Sequence, residues 1–173
     1  MKDHKAISDR KADHIALALK DSHQSAQGAG FDRLRFEPNP LPQMALEDID
    51  YSSQFLNQPV AAPLLIGAMT GGCEHGESIN RHLAEAAEQA QIPMAVGSQR
   101  AALQDGLAQD MRRWAPKAIL LGNLGGTQLQ QHGVELAQRA VDSIEANAMI
   151  IHLKALSLSV KPPLGFRKVV IKC

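Results

Sequence analysis

Cysteine is scarce in this chain: 173 residues hold two, Cys73 and Cys173, and neither belongs to a CxxC pair. A disulfide framework and a cysteine zinc site are thereby excluded, and a reducing cytoplasm is the expected compartment. Long apolar runs are missing as well. The longest nearly apolar stretch, Pro59 to Met69, falls far short of the roughly 20 residues that span a bilayer. The opening MKDHKAISDRKADH has no apolar h-region, so neither a signal peptide nor a membrane partner is expected. Excess positive charge is also absent, since 18 Lys plus Arg balance 18 Asp plus Glu, and a nucleic-acid partner is not expected. What remains, at 45% hydrophobic residues, suits one domain with a buried core.

The charge balance hides a split. Residues 1 to 153 hold 13 Lys/Arg against 18 Asp/Glu, whereas residues 154 to 173 hold 5 against none. The acidic body, 1–153, is set as one domain. The basic stretch KALSLSVKPPLGFRKVVIKC, 154–173, is set as a divergent tail foreign to its fold, with Pro162 and Pro163 adjacent and one short apolar run at Val169 to Ile171.

Before the tail, apolar runs alternate with amphipathic stretches at roughly 25 to 30 residues, the size of a βα unit. Four such units can be drawn, with strands expected at Val60 to Gly67, Met94 to Val96, Ala118 to Leu121 and Met149 to Ile151. After the first, Ile79, Leu83, Ala86, Ala87 and Ala90 share a helix face; after the third, a helix runs from about Val134 to Ile144. Apolar strands without alternation are buried on both faces, the pattern of a parallel sheet covered by helices. The class is therefore α/β, and spacing alone leaves a doubly wound sheet and a barrel both open. A leading helix is expected from Ser8, its N-cap, to about Lys20, with Arg10 and His14 on one face. Gln24 to Gly30 reads as a loop, and Phe36 to Pro42, with three prolines, as an extended connection.

Each polar or glycine-rich cluster that interrupts an apolar run falls at the carboxyl end of an expected strand, where α/β proteins bind ligands. At the first end, Ala68-Met69-Thr70-Gly71-Gly72 offers bare backbone and a hydroxyl, or simply a tight turn. It is not GxGxxG, so no dinucleotide fingerprint is present. Ser98-Gln99-Arg100 supplies a hydroxyl, an amide and a guanidinium, a set suited to a phosphate and equally found in solvated loops. Asn123 has an amide for a planar heterocycle, or a place in a turn. His152 leaves a buried strand as a candidate proton carrier, or as a satisfied core histidine. Arg10, Lys11 and His14 make a small basic cluster that can close over an anion or face water. No histidine spacing defines a metal site.

Taken in order, RKADHI at 10 to 15, AMTGG at 68 to 72, IN at 79 and 80, GSQRAAL at 97 to 103, NLGG at 123 to 126 and IHL at 151 to 153 resemble one family. It is the type 2 isopentenyl diphosphate isomerase, a flavoprotein built on a (β/α)8 barrel. The resemblance implies that this chain is the N-terminal half of such a TIM barrel, about four parallel βα units behind a leading helix. It further implies interconversion of isopentenyl and dimethylallyl diphosphate with reduced FMN, NAD(P)H as the flavin's reductant, and Mg2+. Ala68, Met69, Thr70, Ser98 and Asn123 would then contact FMN. Arg10, Lys11, Ser98, Gln99 and Arg100 would hold the substrate diphosphate, and His152 would be the catalytic residue beside the substrate. A homo-oligomer is implied for the full-length form.

The resemblance stops after His152. The family continues H-L-N-x-x-Q-E, with the glutamine on the substrate and the glutamate on the metal, whereas this chain has Lys154, Ser157 and Leu158 at those places. A local frameshift near codon 154 would account for the broken motif, the loss of acidic residues and the early stop together, and implies an inactive fragment; the alternative is a short paralogue with a genuine C-terminal extension. Two other readings stay open: a phosphate- or flavin-binding half-barrel that needs a partner chain, and a related FMN-dependent oxidoreductase such as a hydroxy-acid oxidase. RKADHI with GSQRAAL argues against the last, because a small hydroxy acid has no use for a diphosphate clamp.

Overall fold

A computed structural model describes residues 16, 17, 19, 20, 22, 30–41, 43–68, 76–105, 110–153 and 170–172. The leading helix expected from Ser8 to Lys20 lies mostly outside the described residues. Two 3-10 turns, Phe31–Arg33 and Leu46–Asp48, flank the proline-rich stretch. A hairpin absent from the sequence-based expectation follows: β1 (Ser53–Phe55) pairs antiparallel with β2 (Gln58–Val60). Its two-residue turn places Leu56 at φ 52° and Asn57 at φ 61°, the paired positive φ of a type I′ turn.

This hairpin divides the first expected strand. Val60 closes β2, residues 61–63 bend, and Ile66 continues as an isolated parallel bridge to Met94. Pro63 gives the reason, because it has no N–H to lend to a ladder in the middle of the run. The Ile66 N–H still donates to the Pro93 carbonyl at 3.0 Å, and the Ala95 N–H to the Ile66 carbonyl at 2.8 Å.

The main sheet runs β3 (Met94–Ala95), β4 (Leu120–Gly125), β5 (Ala148–His152) and β6 (Val170–Lys172), in sequence order. β3, β4 and β5 are parallel, with Met94 opposite Leu120 and Leu121 opposite Ala148. β4 starts two residues later than Ala118 and passes through Gly122 and Asn123 to Gly125, because β5 pairs with it as far as His152. The tail, expected to stand outside the fold, places β6 antiparallel on β5, Ala148 opposite Lys172 and Ile150 opposite Val170. An edge strand offers unpaired backbone groups, and a returning β-branched run can take them without a crossover helix.

Five helices complete the described chain: α1 (Gly76–Ala90), α2 (Arg100–Asp105), α3 (Met111–Trp114), α4 (Gly126–His132) and α5 (Val134–Ile144). Alternation along the strands sorts their side chains onto two faces. Met94, Leu120, Leu124, Met149 and Ile151 pack in the helical layer, with Ala84 and Ala87 of α1 and Ala140 and Ile144 of α5. Ala95, Leu121 and Ala148 face the other way, against Phe55, Leu56 and Ile150. α5 has the expected bounds and buries Ala137, Ala140, Val141 and Ile144, spaced as one helical stripe. α1 is turned from expectation: Ala86 and Ala90 are exposed, and Asn80, Ala84 and Ala87 are buried. Leu83 is half-buried and packs against the same core, and the alanines on the inner stripe let α1 lie close to α3.

Polar ties close the layers. The Glu88 carboxylate accepts the Lys117 and Ala118 N–H groups at 2.9 and 2.8 Å, fastening α1 to the approach of β4. Arg112 reaches from α3 to the Glu145 carbonyl at the end of α5. No helix among the described residues is long and apolar enough to cross a membrane.

Candidate functional site

Parallel strands end on the same side, and three candidate segments meet there: the loop after β3, the last residues of β4 and the end of β5. Asn123 and His152 fall on the strand positions that share a face with Leu121 and Ala148, not with the helical layer. The His152 Nδ1 lies 2.9 Å from the Asn123 Oδ1. An amide oxygen only accepts, so Nδ1 carries the proton and, in the neutral ring, Nε2 is the acceptor. Gly125, opposite His152 in the ladder, makes room for that ring: a Cβ there would stand 3.1 Å from Nε2. Asn123 is buried and His152 half-buried, so the pair sits in a partly dry setting at the strand ends.

Gln99 departs from its expected contact with a diphosphate. Its side chain is wholly buried and turns under α5, where Nε2 donates to the Ala140 carbonyl at 2.8 Å and to the Ser143 hydroxyl at 3.1 Å. Oε1 accepts the Asn123 N–H at 3.0 Å. With both amide protons and the carbonyl engaged inside the protein, nothing is left for a phosphate. Gly122 is part of this seat, since a Cβ there would lie 2.8 Å from Gln99 Oε1 and 2.8 Å from Met149 Cε.

Its neighbours stay near the rim. Ser98 is half-buried in the loop after β3, and Arg100, also half-buried, opens α2. Arg100 lines a cleft of about 440 Å³ with Gln128, His132, Glu135 and Arg139. Ala68 is exposed, and a Cβ built on Gly67 meets nothing within 4 Å, so space lies open beside the Ile66 bridge. Met69, Thr70, Arg10 and Lys11 lie outside the described residues, as do Lys154, Ser157 and Leu158. Among the described residues no three His, Cys, Asp or Glu side chains gather for a metal ion.

The structure therefore joins Asn123 to His152, leaves Ser98 half-buried in the loop after β3, sets Arg100 on a cleft lined by the helices, and withdraws Gln99 into the helical layer. Sequence reasoning missed Ser143 and Gly122 as parts of the site. The one signal for Gly122 is its place before Asn123 at a strand end, and nothing local in the sequence marks Ser143.

Comparison with known proteins agrees with the resemblance. The profile of the FMN-dependent dehydrogenase family matches residues 4–150. Isopentenyl-diphosphate delta-isomerase from Cronobacter sakazakii is 46% identical over 162 residues, covering 90% of this chain and 46% of that protein. The enzyme of the same name from Pseudescherichia vulneris is 45% identical over 168 residues, 94% of this chain and 48% of its own length. That from Methanoregula boonei is 39% identical over 159 residues, 90% and 44%. The chain spans about half the length of the curated relatives it matches.

Proposed function

Because the chain belongs to the FMN-dependent dehydrogenase family, we propose that it is the N-terminal part of an isopentenyl-diphosphate delta-isomerase, a cytoplasmic enzyme of isoprenoid biosynthesis. The observation that carries this is the meeting of Asn123 and His152 at the ends of neighbouring parallel strands, with Ser98 on the adjoining loop and Arg100 at the start of the helix that follows it. The Ile66 bridge, β3, β4 and β5 follow one another across the sheet without reversal, which supports half of a singly wound barrel rather than a doubly wound sheet.

The residues suit a flavin. Open space beside Gly67 and Ala68 and the buried Asn123 amide give a flat ring somewhere to lie and a polar group to meet. Ala68, Met69, Thr70, Ser98 and Asn123 would hold FMN. Reduced FMN, when bound, supplies the proton chemistry of the allylic shift, with NAD(P)H keeping it reduced. Ser98 and Arg100, with Arg10 and Lys11 from the leading segment, would bind the diphosphate through charge-assisted hydrogen bonds. His152, its tautomer set by Asn123, would present Nε2 to the substrate. The family's ligand for Mg2+ is missing from this chain, since the glutamate position is Leu158 here. The boundary at 153, the divergent origin of 154–173 and the homo-oligomer belong to the same proposal.

A second reading, a half-barrel dependent on a partner, is favoured by the exposure of Phe31, Phe36, Leu41 and Leu46, a row of large apolar side chains facing solvent. One experiment addresses both. Alone, the chain is expected to purify colourless. Co-expressed with the remaining half of the Cronobacter sakazakii relative, it is expected to retain FMN through gel filtration and convert isopentenyl diphosphate. Arg100→Ala in that assembly should weaken diphosphate binding far more than flavin binding. A folded assembly without flavin or turnover overturns the proposal.

A further inference from the structure

We infer that Gln99 is a positioning residue that sets the His152 ring by completing β4 where β3 has already ended. β3 stops at Ala95, and the Val96 N–H makes one more strand-like bond to the Leu121 carbonyl at 3.0 Å. Two residues further along β4, Asn123 turns both its N–H and its C=O toward the same side, because the backbone groups of alternate residues in a parallel ladder point to the same neighbour. A single residue takes both. The Gln99 N–H donates to the Asn123 carbonyl at 2.9 Å, and the Gln99 side-chain oxygen accepts the Asn123 N–H at 3.0 Å. Gln99 thus stands in for a strand, using a side-chain amide as its second peptide group.

The same amide grips α5 through the Ala140 carbonyl and Ser143. Ser143 is held in turn, its hydroxyl 2.9 Å from the Ala140 carbonyl. Asn123 is consequently fixed from three elements: β5 by the ladder, the β3–α2 loop through Gln99, and α5 through the Gln99 amide. The Asn123 side chain holds the Nδ1 edge of the His152 ring. Gln99 therefore acts on the site from behind, through Asn123, and makes no contact with the diphosphate. The assignment rests on the proposed use of the Asn123–His152 pair, while its geometry is independent of any ligand.

The test uses the full 173-residue chain, isotope-labelled, without ligand first. The ring nitrogen shifts of His152 report its tautomer. In the parent, a single tautomer protonated at Nδ1 is expected. In Gln99→Leu these shifts should move toward a mixture of tautomers, and Ser143→Ala, which removes one of the two α5 contacts, should move them in the same direction by less. Ala84→Gly, which loosens the helical layer away from Gln99, should lower the melting temperature and leave the ring shifts in place. Unchanged His152 shifts in both Gln99→Leu and Ser143→Ala overturn the inference, and so does an equal change in Ala84→Gly. Inorganic pyrophosphate is then added to the parent. Movement of the Arg100 side-chain signal with the Gln99 side-chain amide unmoved is expected; a pyrophosphate-dependent shift of that amide at its α5 contacts overturns the inference. If pyrophosphate moves neither group, the proposed diphosphate site fails, and the ligand-free tautomer result still decides the role of Gln99.

Discussion

Replacing Arg112 should be among the most damaging single changes in this chain outside the apolar core. Its guanidinium donates to the Glu145 carbonyl from Nη2 at 2.7 Å and Nε at 3.2 Å, and to the Ala118 and Ala115 carbonyls at 2.8 and 3.1 Å. A further bond, at 2.9 Å, goes to the Asn147 Oδ1, which also accepts the Leu120 N–H. One side chain thereby clasps the end of α5, the turn after α3 and the start of β4. Burial pushes its pKa below the usual value, opposed by the charges of Glu145 and Glu88, yet an arginine stays cationic throughout the working range. A hydrogen bond from a charged group contributes about 1.5–3 kcal/mol net, and bonds sharing one group do not add. Counting the clasp as about two independent bonds, Arg112→Ala should cost roughly 3–4 kcal/mol. Arg112→Lys keeps the charge without the planar fork, and should cost about 2 kcal/mol. At about 2–4 °C per kcal/mol for a chain of this size, the alanine variant should melt on the order of 10 °C lower. Thermal unfolding followed by circular dichroism reads this directly. Parent-like melting of Arg112→Ala refutes the clasp, and a parent-like lysine variant beside a damaged alanine one would show that charge matters and the fork does not.

Three further outcomes follow from the geometry. Gly122→Ala would place a methyl 2.8 Å from both Gln99 Oε1 and Met149 Cε, so a loss of roughly 1–3 kcal/mol is expected in urea unfolding, and an unchanged midpoint would refute the tight seat. The Asp50 carboxylate accepts the Ser52 N–H at 2.8 Å, and that bond holds its pKa below the ordinary carboxylate value. Its support of the turn into β1 is complete above that ordinary value and lost as pH falls through the lowered one, so the protection of the Ser52 amide relative to its intrinsic exchange rate should fall on acidification in the parent and show no such step in Asp50→Asn. Phe36, Leu41 and Leu46 are all more than four-fifths exposed, and sedimentation should show concentration-dependent self-association that the triple serine variant relieves; a monomer at every concentration would count against an apolar docking face.

Much of the helical layer was legible in the sequence because its periodicity is local. α5 has the expected bounds, since Ala137, Ala140, Val141 and Ile144 repeat at helical spacing and Gly133 precedes them. Strand ends were less legible, because a strand continues wherever a neighbour accepts its backbone. β4 passes through Gly122 and Asn123, residues that signal a turn in isolation, since β5 lies alongside. The β1–β2 hairpin and the β6 pairing were missed for a related reason: each is decided by what backbone it meets, and Leu56 gives little hint of a positive φ.

The site shows the same limit at the level of single side chains. Ser98-Gln99-Arg100 offers three polar groups in a row, and composition treats them as one phosphate-binding set. Geometry separates them: Gln99, the last residue of the loop after β3, goes under α5, while Arg100, the first of α2, lines the cleft. The deciding residue lies on the partner strand. Had position 122 carried any side chain, the seat would be filled and the Gln99 amide would be forced elsewhere. A glycine that reads as a turn residue thus determines whether a glutamine 23 positions earlier faces ligand or core. That dependence is non-local, and it is why the burial of Gln99 could not be read from its neighbours in the chain.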